Sequence, residues 1–161
     1  YTHVRPGILL YGVPPASGLL DPAKLSALMR LRTEIVSLRT VPTGGQVGYG
    51  GTFVARRPTR IATIPAGYAD GLFRVLGNRG EALVRGRRAP IVGQVSMDMA
   101  TLDVTDVSGA AVGDEVVLLG EQGTEAILAA DIAACIGTIG YEILTAVSRR
   151  VPRVHIEGTA P

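Results

Sequence analysis

Residues 39–71 read RTVPTGGQVGYGGTFVARRPTRIATIPAGYADG. The run Arg60–Pro65 (RIATIP) alternates apolar and polar residues with the period of a half-buried strand, and Phe53–Ala55 is a second β-prone run. Between and after them stand two tyrosines, Tyr49 and Tyr68, in turns rich in glycine. The chain has 5 Tyr, 2 Phe and no Trp, so a tyrosine flanked by Gly48, Gly50 and Gly51 is conspicuous. One reading is a hairpin turn with a half-buried ring, the glycines marking a bulge or turn. The other is that a ligand or a second backbone comes close, which glycine permits and which a strand otherwise gains nothing from.

Working outward, β-prone residues continue in both directions. Leu31–Val41 reads as one long strand, carried by Thr33, Ile35, Val36 and Thr40. Val4–Tyr11 reads as a buried strand leaving into a turn. Asp21 caps a short helix with Pro22 at its first position and 23–28 following. Downstream, Leu72–Leu76 suggests a short helix, and Ala82–Val84 pairs with Arg88–Val92 across Gly86 as a hairpin. Strands are expected over Val95–Val104 and Glu115–Leu119. Thr124–Ile136 carries the strongest helix signal, with Asp131 as its N-cap, and Ile139–Val147 follows as a second helix. Arg149–Ile156 closes as an edge strand broken by Pro152. These elements add up to a mainly β, β-barrel-like domain of about eight or nine strands, with short helices near its end.

Composition bounds the function classes. A chain of 161 residues, 47% hydrophobic and 19% charged, has the make-up of one globular domain. Its 16 basic residues are Lys24 and 15 arginines, and a formal net charge of +2 is too small to mark a nucleic-acid surface without basic runs interleaved with aromatics. The paired arginines Arg56-Arg57, Arg87-Arg88 and Arg149-Arg150 read as solvated charge at strand ends. Cys135 has no partner for an internal disulfide and lies in an apolar helical run, as a small buried hydrophobe would. His3 and His155 stand at opposite ends, so no local metal cluster forms. With no apolar run of about 18 residues, neither a membrane span nor a leader is expected, and the cytoplasm is the default compartment.

Five stretches, in this order, carry a resemblance: VRPGILLYG (4–12), VGYGGT (47–52), TRIATIPAGYADG (59–71), APIVGQVSMDM (89–99) with GDEVVLLG (113–120), and GTIGYEILTAVSRRVPR (137–153). Together they resemble the C-terminal part of bacterial alanine racemase, a pyridoxal-phosphate enzyme of fold type III. The resemblance implies a last strand of an N-terminal (β/α)₈ barrel over residues 1–12 and the C-terminal β domain over 13–161. The rest of that barrel, with the lysine that carries the cofactor, lies outside this sequence. Lys24 matches no cofactor-lysine motif, so this stretch alone is expected to be inactive.

The same resemblance assigns roles. Tyr49 matches the catalytic tyrosine, the second of two bases on opposite faces of the substrate, which acts on the partner subunit's cofactor. A phenol is a poor base at its ordinary pKa of about 10 and needs activation by nearby positive charge or hydrogen bonds. Arg5 matches the residue facing the pyridine nitrogen of pyridoxal 5'-phosphate. Since arginine keeps its proton, it leaves that nitrogen unprotonated. Gly7 and Ile8 match backbone donors to the phosphate, and Tyr141 a phenol bonded to the same phosphate. Met97 matches the backbone N–H that meets the substrate carboxylate. Tyr68, Arg74, Asp98 and Ile139 resemble residues lining a narrow access corridor, while Gln94 stands where some members carry an arginine. The implied assembly is a homodimer acting on a small amino acid, alanine, with neither nucleic acid nor membrane as partner. An exposed, partly apolar face is expected around Tyr49, Tyr68 and Met97. A racemase of serine or another small amino acid, a decarboxylase of the same fold type, and a stand-alone β-barrel binding module remain open alternatives.

Overall fold

Eight residues, Glu115–Gln122, form the strand around which the rest is paired. Its centre, Val116–Gly120, is buried throughout, so there neither face meets water and the sequence is a continuous apolar run rather than an alternating one. The computed structural model describes residues 2–15 and 25–156, and within them ten strands and two α-helices. The strands are β1 (Leu31–Glu34), β2 (Ser37–Val41), β3 (Gln46–Val47), β4 (Phe53–Val54), β5 (Thr59–Ile64), β6 (Glu81–Val84), β7 (Arg87–Pro90), β8 (Ala100–Asp103), β9 (Glu115–Gln122) and β10 (Glu125–Ile127); the helices are α1 (Ala129–Ile136) and α2 (Gly140–Ala146).

All pairing is antiparallel. One sheet runs β1-β9-β6-β7 with β10 also on β9, a second runs β2-β5-β8, and β3 pairs β4. The first two sheets face each other across the main core. Ala62 and Ile64 of β5 and Ala100 and Leu102 of β8 meet Ala82 and Val84 of β6 and Val116 and Leu118 of β9. The opposite faces are buried as well: Ile61 packs with Val41, Val47 and Val92, and Leu83 and Val117 pack under Ile127 and Ile132.

Two corners join the sheets into the barrel-like layout. At one, Ile91 bridges Leu102 between β7 and β8. At the other, the expected long strand over 31–41 divides into β1 and β2. The Ile35 N–H donates to Asp114 O at 3.0 Å, while the next one, of Val36, donates to Thr63 O at 2.9 Å in the other sheet. Ile35 is fully buried at the bend. Residue pattern alone shows a strand there; only the destination of the two N–H groups shows that it changes sheets.

Other expectations are corrected. Val4–Tyr11 is not a buried strand. Pro6 is αR and Gly7 left-handed (φ +59), which turns the chain into a 3-10 turn, Gly7–Tyr11, with Ile8 buried. The capped helix expected from Asp21 falls mainly on residues 16–24, outside the described residues, and 25–28 are not helical. Within Leu72–Leu76 only Arg74–Leu76 forms a helical turn. Residues 95–99 are a turn rather than strand, because Ser96 folds back on Met99: its N–H and hydroxyl both donate to Met99 O, and its Oγ accepts the Met99 N–H. Residues 125–127 pair with β9 instead of opening a helix. The α1 N-cap is therefore Leu128, and Asp131 sits three residues in, where its carboxylate accepts the Leu128 N–H at 2.9 Å. Ala129, Ile132, Ala133 and Ile136 form the apolar stripe of α1, which puts Cys135 off the stripe and exposed. Arg149–Ile156 forms no strand; the Arg153 guanidinium takes the carbonyls of Val147, Ser148 and Val151 after α2. No single described helix is long and apolar enough to cross a membrane, and no metal-binding cluster occurs among the described residues.

Candidate active-site surfaces

The residues singled out in the sequence gather on two surfaces. The first is built by the 3-10 turn at Gly7 and by α2. Ile8 and Tyr141 line one cavity of about 630 Å³ together with Tyr11, Leu144, Val151 and Arg153. Gly7 precedes Ile8 in a left-handed conformation, and a Cβ placed there would meet nothing within 4 Å, so the backbone lies open to an approaching group. The turn's own bonding begins with the Leu9 N–H, donated to Pro6 O at 3.3 Å. Arg5 is exposed just upstream. Ile139 is the α2 N-cap and is also exposed.

The second surface centres on Tyr49, which sits in the 3-10 turn Tyr49–Gly51 between β3 and β4 and is 77% exposed. The three glycines around it differ in purpose. A Cβ on Gly48 would lie 2.8 Å from Gln94 N, and one on Gly51 would lie 2.4 Å from Gln46 Oε1. Both spaces are taken up by this chain's own atoms. Only Gly50 faces open space, its Cβ position meeting nothing nearer than Thr52 Cγ2 at 3.9 Å. The expectation that all of them leave room for a ligand or a second subunit therefore holds at Gly50 alone. Gly93 reciprocates at Gly48: its Cβ would lie 2.8 Å from Val47 O. The two turns are in backbone contact, and Tyr49 is placed by that contact.

Asn78 reinforces it. In a left-handed conformation (φ 60) that asparagine tolerates better than most residues, it accepts the Gly93 N–H at 2.7 Å and donates to Thr52 Oγ1 at 3.1 Å. Tyr49 shares a cavity of about 350 Å³ with Arg39, Gln94, Ser96 and Met99.

Ser96 and Met99 belong to the same turn as Met97 and Asp98, and that turn is stitched to the Tyr68 turn. The Tyr68 N–H donates to Ser96 O and the Ala69 N–H to Met97 O, each at 3.0 Å. A Cβ on Gly67 would lie 2.3 Å from Met97 O, so the two backbones touch. Tyr49, Tyr68, Met97 and Met99 are all exposed, which makes the expected apolar face real. Arg74, in the helical turn after Gly71, is exposed as well.

Two charged residues of this surface escaped the sequence reading. Arg150 donates from Nε to Asp70 Oδ1 at 2.6 Å and from its terminal nitrogen to Asp70 Oδ2 at 3.2 Å, and the same nitrogen reaches Asp98. Though half exposed, it is paired and stands at no strand end. Asp70 also accepts the Gly67 N–H at 2.8 Å. Partial burial works to raise the Asp70 pKa, but the bonds from Arg150 and Gly67 outweigh it and leave the carboxyl below its ordinary value. The two aspartates in turn raise the pKa of Arg150.

A pKa depressed in the folded state means that the ionised Asp70 adds stability above its unfolded pKa of about 4. That contribution is lost as the pH falls through the lower, folded value. Glu115, held low against burial by Gln122, Arg32 and Arg30, behaves in the same way. In a series of unfolding midpoints from about pH 6 to 3, Asp70→Asn is expected to flatten part of the acid decline; a curve parallel to wild type would remove Asp70 from it.

Residues 28–155 match the family described as alanine racemase, C-terminal domain. An alanine racemase of Sorangium cellulosum (strain So ce56) is 55% identical over 158 residues, which are 96% of this chain and 41% of that protein. Among solved structures, an alanine racemase of Bacillus anthracis with bound L-Ala-P superposes with a TM-score of 0.87 at 38% identity, over 96% of this chain and 40% of that one. One of Bartonella henselae with covalently bound pyridoxal phosphate gives 0.84 at 37% identity, over 93% and 39%. The chain thus spans about two fifths of the length of these relatives. It belongs to the alanine racemase family, as a C-terminal domain.

Proposed function

We infer that this chain serves as the C-terminal domain of a pyridoxal-phosphate-dependent alanine racemase, and that its two surfaces work in two different active sites of a homodimer. The observation that carries the reading is the family match over residues 28–155, which takes in the Tyr49 surface and helix α2 with Tyr141, the Gly7 turn lying upstream of it. The α2 surface suits the cofactor: Ile8 and the Tyr141 phenol border one cavity of about 630 Å³, and the backbone at Gly7, next to Ile8, is open. There Gly7 and Ile8 N–H groups and Tyr141 would hold the phosphate, and Arg5 the pyridine nitrogen.

When bound, pyridoxal phosphate acidifies the Cα–H bond of the amino acid by drawing electron density from that carbon. The remaining work falls to side chains and backbone. Arg5 donates a hydrogen bond and withholds a proton, which tempers how far charge is drawn off. On the partner's substrate, Tyr49 takes or returns the Cα proton on one face, and the Met97 N–H orients the carboxylate. Tyr68, Arg74, Asp98 and Ile139 narrow the approach to a small amino acid. D-alanine made in this way would supply peptidoglycan synthesis in the cytoplasm.

The test uses the intact protein that carries this domain, with pyridoxal phosphate. L-alanine is expected to lose optical rotation while D-alanine appears. Release of carbon dioxide and an amine would replace the reading with a decarboxylase, and faster turnover of L-serine would reassign the substrate.

A further inference from the structure

We propose that Arg150 is a positioning residue that holds the α2 surface and the Met97 surface in fixed register, and so couples the two active sites to which one chain contributes. The inference rests on the racemase reading above. Its evidence is a three-way junction. The guanidinium grips Asp70 through two nitrogens and reaches Asp98 with one of them. Asp70 closes the Gly67–Gly71 turn through the Gly67 N–H, and Asp98 follows Met97, whose carbonyl accepts the Ala69 N–H. Arg150 itself lies four residues beyond α2, the helix that carries Tyr141.

A second contact joins two of these segments, the end of α2 and the Tyr68 turn, independently of Arg150. A Cβ on Gly71 would lie 2.8 Å from Val147 Cα and 3.0 Å from Ala146 O, so the end of α2 presses directly on the Tyr68 turn. Gly71 is left-handed (φ +108), a conformation that favours glycine at this crossing. Backbone contact sets the distance between α2 and the turn, and the planar fork of Arg150 sets their angle. A lysine ammonium would retain the charge but not the two-nitrogen geometry.

Met97 is expected to act through its backbone N–H, so a small rotation of its turn misplaces the donor to the substrate carboxylate. Proton transfer at Tyr49, which is anchored separately by Gly48, Gly93 and Asn78, is then less disturbed. Loss of Arg150 should therefore weaken substrate binding more than turnover.

The experiment compares wild type, Arg150→Ala, Arg150→Lys, Asp98→Asn and Arg150→Ala/Asp98→Asn in the intact dimeric holoenzyme. Arg150→Ala is expected to raise KM for alanine about tenfold with kcat changed less than about threefold. Arg150→Lys should recover only part of that loss, and the double variant should be no worse than Arg150→Ala, since both changes remove one interaction. Unchanged KM in Arg150→Ala overturns the proposal. So does an equal fall of kcat in Arg150→Ala and Arg150→Lys with KM unmoved, or an additive double variant. Absence of racemisation in wild type would instead sink the racemase reading on which the proposal stands.

Discussion

Tyr49→Phe in the intact enzyme is expected to lower racemisation of alanine by about 10²- to 10⁴-fold, the usual worth of a positioned acid–base group, or about 3 to 5 kcal/mol of barrier. The ring stays and only the hydroxyl goes. Since the side chain is 77% exposed in this domain, the fold loses no buried hydrogen bond and the unfolding midpoint should not move. The two directions must respond together. Enantiomers of alanine have equal free energy, so kcat/KM for L-to-D and D-to-L are equal in any variant, whichever face Tyr49 serves. Initial rates from both enantiomers at concentrations well below KM, followed by optical rotation, therefore give two readings of one number. A loss smaller than threefold in both would take Tyr49 out of the proton path. Arg39 borders the same cavity as Tyr49. It is a residue that strand periodicity gave no reason to single out.

What could be seen in the sequence was whatever depends on neighbours in the chain. β5 alternates, β9 is an unbroken apolar run, and the β6–β7 hairpin announces itself at Gly86, whose φ of +71 is what its turn requires. Helix α2 was legible from Ile139 to Val147. The five motif stretches were enough for the family. Features that depend on distant partners stayed hidden. Whether 31–41 is one strand or two depends on Asp114 and Thr63. Arg150 is 80 residues from Asp70 and 52 from Asp98, and no local pattern separates it from Arg149. Gly48 and Gly50 look alike in VGYGG, yet one is pressed against Gln94 and the other faces open space. Asp131 and Cys135 were misread for a smaller reason: a helix starting at 129 rather than 124 shifts which positions are cap and which are stripe.

Gly67→Ala is expected to be the most damaging single methyl that can be added to this surface. Its backbone is extended (φ -140, ψ -165), a conformation open to alanine, so the whole effect is steric. The new carbon would lie 2.3 Å from Met97 O and 2.4 Å from both Met97 C and Ser96 O. None of these atoms ends a flexible side chain, so the two turns must separate. Separation forfeits the Tyr68–Ser96 and Ala69–Met97 hydrogen bonds, each worth about 1 kcal/mol. Overpacking adds a further 1 to 3 kcal/mol or so. A loss of about 3 to 5 kcal/mol should therefore appear in urea unfolding, from these two terms together. Gly50→Ala supplies the contrast. Its Cβ meets no close neighbour, and its cost is the left-handed backbone alone, about 1 to 2 kcal/mol. If Gly67→Ala proved no worse than Gly50→Ala, the turns that carry Tyr68 and Met97 would not be in contact, and the access surface would have to be rebuilt from separate, independently moving loops. If the ranking holds, the GYADG motif has a physical reason at its first glycine: it is the residue that lets the Met97 carbonyl lie against the Tyr68 turn. The shape of the Tyr68–Met97 surface then follows from backbone contact, with the tyrosine and methionine side chains only finishing it.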